Sequence, residues 1–446
     1  MFCKTPCESA GFVGKFEELF NPVIEGFVAN QDPGRGPKPK LCASQLLISL
    51  VYHVMVGSGV FSEHVFKIFG VSIKDSSLSE RRQRMGFEPF AWLMRHALRP
   101  MAATDRDPSC FYKGLRLCGI DGSRWSVTNT PQILAKMSKA ATRRFKAAFA
   151  KVEMCVLVEL GLHNPLAAEI GLKGEGEWAL SFKLLDRLPQ FSLLIVDRLY
   201  GCGKYLKELI DACRSRNGHV LVRARSNVKT RPIKRLKDGS ALVGIRLPGK
   251  SGGIQNYLEV REIRGRIMKP GEKKWIEVRF WTTLLDDKLY PAMELLKLYG
   301  FRWEHEIFYK ELKINMRGGE VLHSHTPETA AQEVAALLMA CSIIAAERLT
   351  VARSGELNPL SISFIKTLEE MNALWTILSV AQGLIDDITA GKLVERVRES
   401  IIRQMTPARR KRNCARKVRQ PVSGWPRLIN IESNEVDYTF EIIDFP

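Results

Sequence analysis

The most informative stretch of this chain is Leu298-Tyr-Gly-Phe-Arg-Trp-Glu-His-Glu-Ile-Phe-Tyr-Lys-Glu-Leu-Lys313. On a helix that advances about 100° per residue, three of its polar side chains fall within roughly 40° of a fourth, Glu306. Glu304 and Glu311 point well away from that face, and His305, also off it, is expected at the surface. The face consists of Tyr299, Arg302, Glu306 and Lys313. One stripe thus presents an aromatic hydroxyl, two cations and one carboxylate, although an ordinary charged surface helix is an open alternative.

The charge balance of the whole chain favours a polyanionic partner. Its 67 Lys and Arg residues against 48 Asp and Glu residues give a formal net charge of +19. An excess of that size is typical of proteins that bind nucleic acid, since each phosphate contact also releases a counterion. A basic protein without such a partner is the competing interpretation.

Length and cysteine usage bound the class of protein. A chain of 446 residues exceeds the roughly 250 to 300 residues at which single cores stop growing, so several domains are expected. The ten cysteines include no CxxC pair, which indicates reduced thiols in a cytosolic protein. The apolar run Val334 to Ala346 is shorter than the roughly 20 residues that span a bilayer. We therefore expect a cytoplasmic, nucleoid-associated protein with no membrane association.

Periodicity divides the chain into five regions. Residues 1–108 are predicted to form a helical DNA-binding region, and residues 109–218 alternate short strands with helices. Residues 219–285 are predicted to be almost entirely β, with strands at His219–Arg225, Ala241–Leu247, Tyr257–Ile267 and Trp275–Leu285. From Pro291 to about Gln404 the chain is predicted to be helical again, so that residues 286–345 carry the Glu306 helix and residues 346–446 form a helical C-terminal region with a basic tail. The fold class is therefore α/β, interrupted by an all-β insertion and flanked by helical N- and C-terminal regions.

Strands are predicted at Leu115–Ile120, Val152–Leu160, Ala167–Leu172 and Phe191–Val196. Two of these predicted strands end directly on an aspartate, at Ile120-Asp121 and at Val196-Asp197. A helix over Val60–Phe69 should end at Gly70, because glycine readily adopts the left-handed conformation of a helix C-cap.

Three basic segments are further candidates for contact with nucleic acid. Arg81 and Arg82 belong to a short basic helix that resembles the second helix of a helix-turn-helix, although a solvated helix face explains it as well. The stretch Lys136 to Lys151 lines a DNA channel or forms a solvated loop. The run Arg409 to Arg419 is expected to be a flexible arm that touches phosphates without sequence preference.

The spacing Tyr299-x2-Arg302-x3-Glu306-x6-Lys313 matches in full the Y-R-E-K signature of DDE transposases from bacterial insertion sequences, the IS-four group. Ile120-Asp121-Gly122-Ser123 resembles that family's first-aspartate motif, and Val196-Asp197-Arg198-Leu199-Tyr200 resembles its second. The three motifs occur in the family's order and cover roughly residues 70 to 345. One departure is Leu199, where the family usually has glycine, so the turn after the second aspartate is expected to differ.

The resemblance implies a ribonuclease-H-like catalytic domain, in two parts at 109–218 and 286–345, with the β insertion between the second aspartate and the glutamate. It implies that Asp121, Asp197 and Glu306 are both catalytic and metal-binding, holding two Mg²⁺ ions for which Mn²⁺ should substitute. Hard cations of this kind prefer carboxylate oxygens, and two of them can activate water and stabilise a leaving oxygen. The DNA contacts implied are Tyr299, Arg302, Lys313 and Arg198, with Arg81 and Arg82 added from the N-terminal region.

The function implied is cleavage at the ends of an insertion sequence and strand transfer into target DNA, by a homodimer on double-stranded DNA. One alternative is a non-catalytic DNA-binding protein derived from a transposase, and a second is a nuclease without strand transfer. A third is an ATPase, since Gly244–Ser251 satisfies the Walker A pattern. A P-loop must open a helix, whereas this match leads into another predicted strand, so we interpret it as a hairpin turn.

Overall fold

A computed structural model describes residues 11–29, 39–137, 139–141, 146–247, 257–268, 275–319, 321–381, 383–405 and 439–443. These residues form a mixed α/β protein, which confirms the predicted fold class. They belong to two compact units, the first drawn from 1–189 and 303–405 and the second from 190–302 and 406–446. The basic run Arg409 to Arg419 lies outside the described residues.

The N-terminal part of the first unit is helical, as predicted. Phe12 packs against Tyr52 and Trp375, with ring centroids 5.0 and 5.5 Å away. Gly70 has φ 65° and its N–H bonds the carbonyl of Phe66, so it ends its helix as the sequence indicates. The helices are α1 (Phe12–Ala29), α2 (Ala43–Val56), α3 (Phe61–Phe69), α4 (Asp75–Met85) and α5 (Glu88–Ala97).

An antiparallel meander follows in the same unit, in which β4 pairs with both β2 and β5. Its elements are β1 (Phe111–Tyr112), β2 (Leu115–Val127), α6 (Pro131–Lys136), β3 (Lys139–Ala141), β4 (Lys146–Glu159), β5 (Asn164–Ile170) and α7 (Glu177–Leu184). Three predicted strands are confirmed, but the prediction that one of them ends on Asp121 is wrong. Asp121 pairs with Val156 and the ladder continues to Val127, because the long partner strand β4 supplies hydrogen bonds to a segment with turn-like composition.

The second unit contains strands that the sequence predicted and two that it did not. β6 and β7 are parallel, and β7, β11, β10, β9 and β8 then follow in antiparallel order. The elements are β6 (Ser192–Val196), α8 (Gly203–Arg214), β7 (His219–Arg223), β8 (Thr230–Arg235), β9 (Ala241–Arg246), β10 (Tyr257–Met268), β11 (Trp275–Thr282), α9 (Ala292–Leu298) and β12 (Thr439–Ile442).

The two unpredicted strands have different origins. β8 is a mostly exposed edge strand with several cations and Pro232, so it lacks the apolar alternation that reveals strands. β12 lies in the tail beyond the predicted helices, and it pairs with the half of β10 that extends beyond β9. The Walker-type match begins in β9, and the next described element is strand β10 rather than a helix, although Gly249 to Ser251 themselves lie outside the described residues.

The signature segment is helical but not uniformly so. A 3₁₀ turn over Tyr299–Phe301 leads into α10 (Arg302–Lys310), which passes into a π-helix over Glu311–Met316. A projection as one regular α-helix is therefore wrong at both ends, because 3₁₀ and π turns advance by different angles per residue.

Helix α11 (Pro327–Ser354) forms the core of the first unit. It is long and apolar enough to cross a membrane by composition, but 94% of its most apolar window is buried inside the protein, as in the core helix of a soluble protein. Its start is fixed by Thr326, whose hydroxyl accepts the N–H of Thr329 at 3.1 Å. The helices that follow are α12 (Phe364–Val380) and α13 (Asp387–Arg403).

Candidate active site

Asp121 lies inside strand β2, and hydrogen bonds hold both its carboxylate and its main-chain carbonyl. The N–H of Gly122 donates to Asp121 Oδ1 at 3.0 Å. The hydroxyl of Tyr309 donates to the main-chain carbonyl of Asp121 at 2.6 Å. Because Tyr309 follows Glu306 by three residues, both lie on one face of α10. The helix that carries the glutamate is thus tied directly to the strand that carries the first aspartate.

The side of this helical segment opposite Glu306 is anchored by buried charges. His163 is 1% exposed and bonds Glu304 through Nε2 at 2.9 Å and Glu311 through Nδ1 at 2.7 Å. Arg348 from α11 approaches the other oxygen of Glu311 at 3.4 Å. Glu304 and Glu311 point away from the stripe as predicted, and they serve to fix the helix that presents Glu306.

His163 adopts an unusual backbone conformation, with φ 57°. The left-handed region costs a residue with a Cβ roughly 1 to 2 kcal/mol, so the ion pairs of its side chain help to offset that cost. Burial by itself lowers the pKa of His163, but the charges and hydrogen bonds of Glu311 and Glu304 outweigh it and raise the pKa. The imidazole is therefore held as a cation between two carboxylates.

Acidic charge gathers around the hydroxyl of Tyr309. Burial and the charges of Asp121, Cys155, Glu177 and Glu306 raise the pKa of Tyr309 well above its usual value. The hydroxyl therefore stays protonated and keeps its bond to the carbonyl of Asp121. Hard divalent cations favour such a concentration of carboxylates, so the donor chemistry fits Mg²⁺ or Mn²⁺. Among the described residues, no group of three or more His, Cys, Asp or Glu side chains is close enough to hold a metal ion.

Lys313 lies in the π-helix and reaches back to strand β2. Its Nζ donates to Ser123 Oγ and to the carbonyl of Arg124, both at 2.6 Å, and lies over the ring of Trp125. Burial, followed by the charge of Lys151, lowers the pKa of Lys313 to about 8. This side chain is thus a partly desolvated cation close to the Asp121 strand.

The stretch from Lys136 to Lys151 is not the simple loop that was one of its two interpretations. Lys136 ends α6 and pairs with Glu328 at 2.7 Å, whereas Lys146 to Lys151 belong to strand β4. Residues 142–145 lie outside the described residues. A DNA channel here stays a prediction.

In the second unit, Asp197 directly follows strand β6, as predicted. Its Oδ1 accepts the N–H of Leu199 at 2.6 Å, and its carbonyl accepts the N–H of Tyr200 at 3.3 Å. Leu199 is not among the residues with positive φ, so its backbone does not require the glycine that the family usually has there. Glycine is required instead at Gly201, where a Cβ would lie 2.7 Å from the carbonyl of Arg223.

Two of the predicted DNA contacts of the second unit, Tyr299 and Arg198, lie at this turn. The hydroxyl of Tyr299 donates to the carbonyl of Val196 at 3.3 Å, and its ring packs against Phe280. Arg198 is exposed and Arg302 half-buried at the start of α10. Their contacts with DNA stay predictions.

Arg81 and Arg82 both make contacts within the protein. Arg81 donates to the carbonyl of Leu41. Arg82 donates to Gln332 Oε1 at 3.2 Å and to the carbonyl of Thr329 at 3.3 Å. Gln332 in turn donates to the carbonyls of Arg82 and Gly86, which fixes the end of α4 on α11. These contacts give both arginines a structural role, and their contact with DNA stays a prediction.

Sequence reasoning missed several residues that shape the site. Tyr309 is signalled only by its three-residue spacing from Glu306, and His163 carries no local signal. Arg225, which donates to the carbonyls of Arg198 and Leu199 at 2.9 and 3.0 Å, carries none either. His305, expected at the surface, is 1% exposed and packs against Tyr309, with ring centroids 4.9 Å apart. The prediction for His305 is therefore wrong, because α10 packs against the protein with its aromatic side chains as well as with its polar ones.

Comparison with known proteins gives one family and several similar chains. The family described as "Transposase DDE domain" matches residues 113–343, more than half of the chain. The transposase InsG for insertion sequence element IS4, from Escherichia coli strain K12, is 25% identical over 289 residues, which cover 63% of this chain and 62% of InsG. The chain therefore spans about six tenths of the length of InsG.

Two further similarities have different extents. The putative transposase InsZ of the same strain is 26% identical over 214 residues, 46% of this chain and 68% of InsZ. A piggyBac transposase in a synaptic complex with hairpin DNA, solved by cryo-electron microscopy, aligns over 88% of this chain and 84% of its own, with a TM-score of 0.44 and 8% identity. The matched residues include Asp121, Asp197 and Glu306. The chain belongs to the DDE transposase family, of the type found in IS4 elements.

Proposed function

We propose that this protein is a DNA transposase that cleaves the ends of its own insertion sequence and joins them to target DNA. The observation that carries the proposal is the hydrogen bond between Tyr309 and the carbonyl of Asp121. It joins the strand of the first family aspartate to the helix of the family glutamate. The +19 charge of the chain supports a DNA substrate.

Asp121, Asp197 and Glu306 are the residues that would hold divalent metal ions, two Mg²⁺ with Mn²⁺ as a substitute. Bound there, the ions would supply an activated nucleophile and stabilise the leaving oxygen. Tyr309 orients the backbone of Asp121, and the cluster of His163, Glu304 and Glu311 keeps α10 in place. Cleavage and joining use the same chemistry with water or a 3′ hydroxyl as nucleophile, so one site serves both.

Positive side chains position the DNA end. Lys313 contacts the strand of Asp121, and Tyr299, Arg302 and Arg198 belong to the segments next to Glu306 and Asp197. Each is suited to a phosphate oxygen by its charge or hydroxyl. Because two element ends must be joined together, the working form is a homodimer on DNA, in the cytoplasm at the nucleoid.

The test is Mg²⁺-dependent cleavage and strand transfer on DNA that carries the element's own ends, with Glu306→Gln and the exposed Glu294→Gln as a charge-matched control. We expect wild type and the control to cut and join, and Glu306→Gln to bind DNA without cutting. Cleavage without joining would favour the nuclease, and binding without cleavage by the wild type would favour the non-catalytic binding protein.

A further inference from the structure

Glu177, the first residue of α7, contacts the backbone beside Asp121. Its Oε1 accepts the N–H of Gly122 at 3.1 Å, and the same N–H donates to Asp121 Oδ1 at 3.0 Å. Two carboxylates from distant parts of the sequence thus converge on one donor. Neither the signature helix nor the aspartate motifs point to this glutamate.

The approach of Glu177 requires that residue 122 lack a side chain. A Cβ at Gly122 would lie 2.5 Å from both Cγ and Cδ of Glu177 and 2.7 Å from its Oε2. The φ of Gly122 is not positive, so glycine is needed here for space rather than for backbone conformation. The residue after Asp121 therefore serves to admit Glu177.

The placement of α7 makes this contact a fixed one. Leu180, Ser181 and Leu184 of the same helix are buried, and Ser181 is 0% exposed. A helix held along its inner face gives the half-buried Glu177 little freedom at its first turn. The charges of Glu177, Asp121 and Glu306 also act together on the hydroxyl of Tyr309. Glu177 thus belongs to the same electrostatic environment as two residues of the proposed triad.

We infer that Glu177 is a positioning residue of the active site: through the amide of Gly122 it fixes the direction in which Asp121 presents its carboxylate to a divalent metal ion. A carboxylate that shares its donor with a fixed neighbour loses rotational freedom, so less ordering remains when the metal binds. The inference rests on the proposed function, because it assigns Asp121 to the metal.

The experiment measures Mn²⁺ affinity by calorimetry on the full-length protein without DNA, beside end cleavage and the melting temperature. Glu177→Ala removes the acceptor, and Glu177→Gln keeps an acceptor oxygen but removes the charge. Glu175→Ala is the matched control, since Glu175 lies just before α7 but bonds the N–H of Lys173 and the side chain of Lys183 instead. We expect Glu177→Ala to weaken Mn²⁺ binding and cleavage roughly 10- to 100-fold. We expect Glu177→Gln to retain most of both, with melting temperature and DNA affinity unchanged in either variant.

The outcomes separate this inference from the proposed function. Equal Mn²⁺ affinity and cleavage in wild type and Glu177→Ala would overturn the role of Glu177 alone. Loss of Mn²⁺ affinity in step with melting temperature, in Glu177→Gln as much as in Glu177→Ala, would overturn it as well. A wild type that binds Mn²⁺ but does not cut, while Glu177→Ala binds Mn²⁺ more weakly, would overturn the proposed function and keep the positioning role. A folded wild type that neither binds Mn²⁺ nor cuts would overturn both.

Discussion

The two aspartates of the proposed triad are held in different ways. Asp121 lies inside a paired strand, and its carbonyl accepts a hydrogen bond from the hydroxyl of Tyr309, a residue far along the chain. Asp197 lies just past the end of its strand, and its carboxylate accepts the N–H of a residue two positions later. The first environment is built by tertiary contacts and the second by a local turn.

This difference shows why similar motifs can have different structural requirements. A local turn needs only a short side chain with an acceptor and a backbone that can close. Asp121 also accepts a local N–H, from Gly122, but that amide is shared with Glu177 and the carbonyl of Asp121 is held by Tyr309. Its orientation therefore depends on residues far away in sequence. We therefore expect substitutions around Asp121 to couple to distant residues, and substitutions around Asp197 to act locally.

The largest effect is expected when Asp121 or Asp197 loses its carboxylate, because both aspartates belong to the proposed triad. Asp121→Asn and Asp197→Asn should each lower end cleavage by about 10³-fold or more, which corresponds to roughly 4 kcal/mol of transition-state stabilisation. Asparagine keeps an acceptor oxygen for the local N–H in both cases, so the melting temperature should hardly change. Single-turnover cleavage on end DNA measures the effect. A variant that retains cleavage would remove that aspartate from the triad.

The next largest effect is expected at His163, which bonds Glu304 and Glu311 within the first unit. His163→Asn should destabilise the protein by about 3 kcal/mol. It removes the imidazole that bonds both the half-buried Glu304 and the buried Glu311, and Arg348 remains in contact with Glu311 alone. Asparagine tolerates the left-handed backbone. The pKa of His163 is raised in the folded protein, so its contribution is complete below about pH 6.5 and is lost as the pH rises through the folded-state value.

Urea unfolding of wild type and His163→Asn across pH 6 to 9 measures this anchor. The exposed His96→Asn serves as control, with an expected change below about 0.5 kcal/mol. If the difference in free energy of unfolding between wild type and His163→Asn grew with pH, the result would contradict a cationic imidazole.

Tyr309, which bonds Asp121, and Tyr299, which bonds the residue before Asp197, allow a direct comparison of the two aspartate environments. Tyr309→Phe should cost about 1 to 2 kcal/mol of stability, because it leaves the carbonyl of Asp121 without its buried donor, and should slow cleavage about tenfold through misorientation. Tyr299→Phe removes a longer bond of 3.3 Å to Val196 and should instead weaken DNA-end binding. Chemical unfolding and DNA titration of both variants test the contrast, and identical profiles would refute it.

The charge of Lys313 predicts a pH dependence of DNA binding. Since burial and Lys151 lower its pKa to about 8, wild-type affinity for end DNA should fall as the pH rises from 7 to 9. Lys313→Gln should be weaker by about 1 kcal/mol, show no such fall, and reduce the salt slope of binding by about 1. Fluorescence anisotropy at several salt concentrations measures both. An unchanged slope would mean that Lys313 serves only Ser123 and Arg124.

The smallest effect is expected at the departure from the family pattern. Leu199→Gly should change cleavage by less than about twofold, because only the N–H of residue 199 bonds Asp197 and the backbone there does not need glycine. Gly201→Ala serves as the contrasting variant, since its new Cβ meets the carbonyl of Arg223 and should cost about 1 to 3 kcal/mol. The two variants are compared by melting temperature and cleavage. A larger loss in Leu199→Gly would show that the turn is not set locally.

The sequence by itself determined most of the elements and the candidate chemistry. The helix that ends at Gly70, strands β4 to β6 and the turn at Asp197 were all predicted, because periodicity, glycine caps and Asx turns act over a few residues. The spacing of Tyr299, Arg302, Glu306 and Lys313 likewise identified the family, although the segment is not one regular α-helix.

Only the tertiary structure decided how that chemistry is held. The continuation of β2 past Asp121 depends on β4, the buried cation of His163 depends on α10 and α11, and the role of Gly122 depends on Glu177. Each of these contacts joins residues far apart in sequence, and its energy comes from desolvated groups that meet only after folding. A local pattern carries no record of such partners.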